Sequence, residues 1–283
     1  MVTNRKSTVF STASSFQTHQ YQTHIILHKI SENRNNDFSF VAEANLAATF
    51  NFTVFSIKLK IKDIVERNKI QNVGLLETVI DIAMSNIAGL TNPTKLTHII
   101  QSSIDAKATR PTIVKYLGYL KNAFLLYEAA RYDVKGRHYL NYPIKYYATD
   151  PGLRNARINF RQTEPTHLME NVIYCELIRR GYPVDVGVVM LESRQDGTHQ
   201  TKQYEIDFVI NRGPRQIYIQ SAYTIPTAEK REQETFSLRH TGDSFKKIVI
   251  TNAPFQTRTY DDSGIAYIGL LDFLLDPKSL VTL

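Results

Sequence analysis

The segment YEIDFVINRGPRQIYIQSAY, Tyr204–Tyr223, decides how the chain is read. Two runs of β-branched and aromatic residues flank Asn211-Arg212-Gly213-Pro214, which predicts strands over Tyr204–Ile210 and Gln216–Ala222 joined by a turn. Successive side chains of a strand point to opposite faces, setting Glu205, Asp207 and Val209 against Tyr204, Ile206, Phe208 and Ile210. In the second strand Tyr218, Gln220 and Ala222 share one face, opposite Ile217, Ile219 and Ser221. An acid on one strand beside an oxygen ligand on the next is the outline of a divalent-metal site. Mg²⁺ takes hard oxygen ligands, usually one or two carboxylates plus water.

Upstream, a helix predicted over Thr166–Arg180 offers Glu170 and Glu176 as the remaining acid. Their spacing puts them about 120° apart on the helix, so only one can face a given site. Chemistry alone leaves open the alternative that Asp207 is an edge-strand acid and both glutamates face solvent. Around this nucleus we expect a strand at Val184–Val189, a polar loop at Glu192–Gln203, a helix at Ala228–Leu238, a strand at Lys246–Ile250 and a strand–helix pair from Ala266 to Leu275. Strands alternating with helices define an α/β sheet covered on both faces. A polar connector ending near Thr166 separates this domain, residues 158–283, from residues 58–157.

That earlier region reads as helical from Asp63. Leu76, Val79, Ile80, Ala83 and Ile87 form one apolar stripe, and Gly89 is a plausible stop. Asn92-Pro93 opens a second helix with Leu96, Ile99 and Ile100 inward, and Thr109 caps a third with Pro111 in its first turn. The third helix buries Ile113, Tyr116, Leu117, Leu120 and Phe124, leaving Thr112, Lys115, Tyr119 and Asn122 on its other face. Two strand-like runs, Phe124–Tyr132 and Tyr139–Thr149, then flank an Asp133-Val134-Lys135-Gly136 turn. Three helices and a basic hairpin is the order of a winged helix. In such a module the third helix enters the major groove, and the wing, here Arg131, Lys135 and Arg137, lies on phosphates. The same elements could instead pack between neighbours or dock a protein. Residues 1–57, polar and without a sustained period, read as a partly ordered arm.

The totals narrow the class. The 283 residues are 42% hydrophobic and 22% charged, which suits about two globular domains. No stretch reaches the roughly 18–20 apolar residues of a membrane span, so no membrane partner is expected. A single cysteine, Cys175, excludes an intramolecular disulfide and suits a reducing compartment, with the cytoplasm expected. The net charge of +7 is local: residues 58–157 are net about +8, residues 158–283 about −2 and residues 1–57 about +1. A local basic block suits phosphate contacts, because each neutralised phosphate releases counterions.

Several stretches resemble one family: KDIVERNKI (Lys62–Ile70), YLGYLKNAFLLYEAARYDVKGR (Tyr116–Arg137), KYYATDPGLRNA (Lys145–Ala156), LMENVIYCELIRRGYPVDVG (Leu168–Gly187), EIDFVI (Glu205–Ile210) and IYIQSAY (Ile217–Tyr223). The family is the C-terminal domain of unknown function that follows an AAA-type ATPase core in many bacterial and archaeal ATPases. Its last part looks like a PD-(D/E)XK nuclease fold. The resemblance implies Glu170 as the helix acid, Asp207 as the metal acid and Gln220 at the second acid position, with Mg²⁺ or Mn²⁺ held weakly by Glu170 and Asp207 if at all. The pattern expects a lysine where this chain has Ala222; Lys230, on the following helix, is the possible substitute. No Gly-x-x-x-x-Gly-Lys-Ser/Thr segment occurs, so the ATPase core is expected to be absent, or supplied by a separate P-loop ATPase. Tyr267–Asp276 has the look of a Walker-B strand but lacks the loop that would go with it. The expectation is a non-catalytic module that binds DNA or a protein partner. The alternatives are an active metal-dependent nuclease and a winged-helix transcription regulator.

Overall fold

The computed structural model describes residues 46–281 except 104–106, 162–163, 196–197 and 254–257. The chain divides into two compact units, Met1–Asn51 and Phe52–Leu283, and the second holds every site discussed below. The expected arm overlaps a helix. Residues 1–45 lie outside the described ones, but Leu46–Asn68 forms α1. The sequence IKLKIK (57–62) alternates like a strand, yet the helix buries Ile57, Ile61 and Ile64 and leaves Leu59 exposed. Lys69, with φ 50, ends α1, and Ile70 N–H donates to Val65 O.

Helix α2 (Val73–Ser85) starts at Asn72, whose side chain accepts from Leu75 N–H, and buries Leu76, Val79 and Ile80. A two-residue strand β1 (Leu90–Thr91) precedes α3 (Pro93–Ser103). Helix α4 (Arg110–Asn122) is capped by Thr109 and buries Ile113, Tyr116, Leu117 and Leu120. Strands β2 (Leu126–Asp133) and β3 (His138–Ala148) form the hairpin. β1 pairs with β3 and β3 with β2, all antiparallel. Helix, strand, two helices and two strands is the winged-helix order, and one apolar core joins α1 to α4 with the inner face of β3.

The sheet does not stop at the expected boundary between 157 and 158. After α5 (Pro151–Arg157) and α6 (Pro165–Arg179), strand β4 (Val184–Gln195) pairs in parallel with β2, Arg131 opposite Val186. Strands β5 (Thr198–Arg212) and β6 (Arg215–Ala222), helix α7 (Ala228–Arg239), strands β7 (Lys246–Thr251), β8 (Thr259–Tyr260) and β9 (Ala266–Gly269), and helix α8 (Leu270–Leu275) complete the fold. Nine strands form one mixed sheet in the order β1-β3-β2-β4-β5-β6-β7-β9-β8. α6 and α8 pack on one face, around Ile173, Phe208 and Phe273. α7 packs on the other, where Leu238 meets Ile206, Val209 and Tyr218. The α/β class therefore holds, with helices on both faces. Among the described residues no helix is long and apolar enough to cross a membrane.

Two local features differ from expectation. The polar stretch Glu192–Gln203 is mostly hairpin, Leu191 opposite Lys202 and Gln195 opposite Thr198. Its sequence is polar throughout and offers no apolar periodicity to reveal the strands. The alternation of β5 also breaks at a bulge, where Asp185 pairs with Val209 but Gly187 with Ile206. Val186 thus faces two residues, Asp207 and Phe208, and the bulge turns both toward α6. Ile206 consequently packs with α7 while Phe208 packs with α6, rather than sharing a face.

Candidate functional site

Glu170, Asp207 and a third carboxylate, Glu205, meet around a lysine. Lys145 of β3 places Nζ 2.9 Å from Glu170 Oε1, 2.6 Å from Glu205 Oε1 and 3.8 Å from Asp207 Oδ1. The Lys145 side chain is only 4% exposed. Its strand explains the direction: Ile144, Tyr146 and Ala148 face the helices α1–α4, and the alternate residues Lys145 and Tyr147 face α6. Tyr147 Oη donates to Glu170 Oε1 at 2.7 Å, and its ring stacks on Tyr174 at 4.0 Å. Asn171, next to Glu170, clamps Ala148 by accepting from its N–H at 2.7 Å and donating to its carbonyl at 2.9 Å. Ser221 N–H donates to Asp207 Oδ2 at 2.8 Å, so β6 helps to hold the acid.

The charges do not balance, since one ammonium faces three carboxylates. Burial disfavours the Lys145 ammonium, but the charges of Glu170, Asp207 and Glu205 outweigh burial and raise it above the ordinary lysine value. Burial and the charge of Glu170 push Asp207 well above the usual aspartate range, with Lys145 opposing only in part. Both directions follow from the negative excess, which favours the charged lysine and the protonated form of Asp207.

Neither remaining member of the expected catalytic set joins this cluster. Gln220 shares the face of Tyr218 and Ala222, which pack toward α7, and its Oε1 accepts from the backbone N–H of Asp207 at 3.4 Å. Lys230 sits on α7, across the sheet from α6, and pairs with Glu234 at 2.5 Å; it does not replace the missing lysine. Ala222 is itself buried in that core. Glu176, the other acid of α6, binds Arg179 and Arg180 at the helix end. The Mg²⁺ or Mn²⁺ expected on Glu170 and Asp207 does not fit this arrangement. The carboxylates spread around an ammonium at hydrogen-bond distances, rather than converging at Mg²⁺–oxygen lengths of about 2.1 Å. Among the described residues no group of three His, Cys, Asp or Glu side chains is placed to hold a metal ion.

The basic surface lies on the winged-helix elements. Of the residues expected there, Lys115 and Asn122 of α4 and Lys135 and Arg137 of the hairpin turn are exposed. Asp133 Oδ1 shapes that turn by accepting from Lys135 N–H and Gly136 N–H. Thr112 is half-buried and bonded to Thr109 at 2.9 Å, and half-buried Tyr119 packs against the core. Arg131 is a correction: it is 5% exposed and donates to Gln203 at 3.0 Å, because β2 is an interior strand rather than a free wing. Arg110 is the contact the sequence did not single out. Its Nε donates to Thr94 Oγ1 at 3.1 Å and its guanidinium lies 5.9 Å from the Tyr142 ring centroid, joining α3, α4 and β3. Beside it an open depression along α3 is lined by Asn92, Thr94, Lys95, His98, Ile99 and Ser102. No aspartate or glutamate occurs in α3, in α4 or from Val134 to Ala148, a signal that was present in the sequence.

This chain is similar to a family described as a domain of unknown function (DUF8612), which matches residues 41–164 and so covers the helices, the hairpin and α5. An uncharacterized protein of Haemophilus influenzae is 35% identical over 215 residues, 76% of this chain and 49% of the relative. The chain spans about half the length of that curated relative. The crystal structure of protein VC1899 from Vibrio cholerae aligns with 83% of this chain and 56% of its own at 14% identity, with a TM-score of 0.29.

Proposed function

We propose that the chain is a non-catalytic nucleic-acid-binding module that grips the phosphate backbone with α3, α4 and the β2–β3 hairpin. The observation that carries this reading is the absence of carboxylates from α3, α4 and Val134–Ala148, while Lys95, Arg110, Lys115, Lys135 and Arg137 are exposed there. Positive charge with no acids interleaved attracts a polyanion and releases its counterions. The nuclease-like half serves as the platform, its acids neutralised in part by Lys145. The resemblance to domains that follow AAA-type ATPase cores supports placing the module beside a separate P-loop ATPase.

The test is fluorescence anisotropy with a labelled DNA duplex across a salt series. Affinity should fall steeply with salt, by a slope of about 0.9 per phosphate contact. Charge reversal at Lys95, Arg110 and Lys115 should remove most of the binding and flatten the salt slope. Salt-insensitive binding, or binding untouched by the triple reversal, would overturn the proposal. A plasmid assay with Mg²⁺ or Mn²⁺ tests the non-catalytic half: cleavage lost in Asp207→Ala would give the nuclease reading precedence.

A further inference from the structure

We propose that Lys145 is a built-in cation that takes the place of a divalent metal among Glu170, Glu205 and Asp207 and keeps these carboxylates closed to metal. Its ammonium stands within 2.9 Å of two of the acids and 3.8 Å of the third. The acids come from α6 and β5, and two of the three are held by contacts besides the lysine. Tyr147 donates to Glu170, and Ser221 N–H donates to Asp207. Glu170 and Asp207 are therefore braced by the fold and do not depend wholly on Lys145 for their positions.

The lysine cannot swing aside cheaply. Its strand neighbours Ile144 and Tyr146 are buried in the opposite core, and Asn171 fixes the end of the strand through Ala148. Withdrawal of Nζ would leave Glu170 and Asp207, both largely shut off from water, without their ammonium. Uncompensated buried charge is among the costliest arrangements a fold can hold. A dication matches three carboxylates better than an ammonium does, so the shell should accept a hard metal once the ammonium is removed. The closed state is thus a property of one side chain. This inference shares the cluster with the non-catalytic half of the proposed function, but its readout is metal affinity, so cleavage or DNA binding can fail without it.

The experiment compares the full chain with Lys145→Met, which keeps the stem and removes the charge. Thermal unfolding is followed with and without millimolar Mn²⁺, and free Mn²⁺ is counted by electron paramagnetic resonance. The unmodified chain should show no Mn²⁺-dependent rise in Tm and should leave the free Mn²⁺ signal undiminished. K145M should gain both a rise in Tm and stoichiometric uptake, and K145M/D207N should lose most of that gain. If K145M does not fold unaided, Mn²⁺ present during refolding should restore its near-ultraviolet circular dichroism. Uptake by the unmodified chain equal to that of K145M would overturn the proposal. So would a K145M chain that neither takes up Mn²⁺ nor is rescued by it.

Discussion

Asp207 carries the sharpest prediction at the level of single residues. Its native proton affinity is raised by burial and by Glu170. From the ordinary aspartate value, about 3.9, up to the raised native value, the folded chain holds a proton that the unfolded chain releases. Stability should therefore fall as pH rises through that window and level off above it. The raised Lys145 value has the same sign at higher pH: its contribution is complete throughout this window and is lost only in strong alkali. Asp207→Asn imitates the protonated acid, so its urea midpoint should fall less between pH 5 and pH 8 than that of the unmodified chain. Parallel midpoints would show that Asp207 is ionised in the fold. Counting faces left Glu170 and Glu176 both open on the helix, and the family resemblance was what implied Glu170 as the partner of Asp207. Lys145 was not legible as their partner, although alternation in YPIKYYA puts it on the face of Tyr147. Counting faces shows which way a side chain leaves its strand; it does not show that acids from other elements converge there.

Secondary elements were easiest to read where the backbone ends are chemically marked. Thr109 before Arg110-Pro111, and Asn92 before Pro93, satisfy the first N–H groups of α4 and α3, and both helices lie where these caps predict. The start of α1 was hidden because residues 38–57 keep no clean helical or strand alternation, and the β4–β5 hairpin because the polar stretch Glu192–Gln203 offers no apolar alternation. The bulge in β5 was also invisible, because it depends on what β4 presents. Gly187 lies against it, and a Cβ there would sit 2.7 Å from Val209 Cγ2 and 2.9 Å from Ile206 Cβ. Gly187→Val should cost about 1–3 kcal/mol through overpacking. Urea denaturation measures the loss, and an unchanged midpoint would mean that the two strands separate there at little cost.

One sheet runs through both expected domains, so residues 52–281 should unfold as a unit. Tyrosine fluorescence and far-ultraviolet circular dichroism should give coincident urea transitions. The fragment 158–283 expressed alone should be poorly soluble, since it loses β2 from the side of β4 and Lys145 from between the acids. Two separated transitions, or a soluble and cooperatively folded fragment, would restore the boundary near residue 158. The parallel pairing of β2 with β4 also has a bearing on synthesis. As the nascent chain leaves the ribosome, α1 to α4 and the β2–β3 hairpin have their own apolar core within reach by Leu153. The far side of that hairpin has to wait. Glu170 arrives one helix later, and Glu205 and Asp207 only once most of β5 has emerged. Until then the hairpin presents Tyr147 and an unneutralised lysine on the face that α6 will cover, and the charge keeps that face from being wholly apolar. The side chain that completes the mature interior should thus also keep its waiting face hydrated during translation.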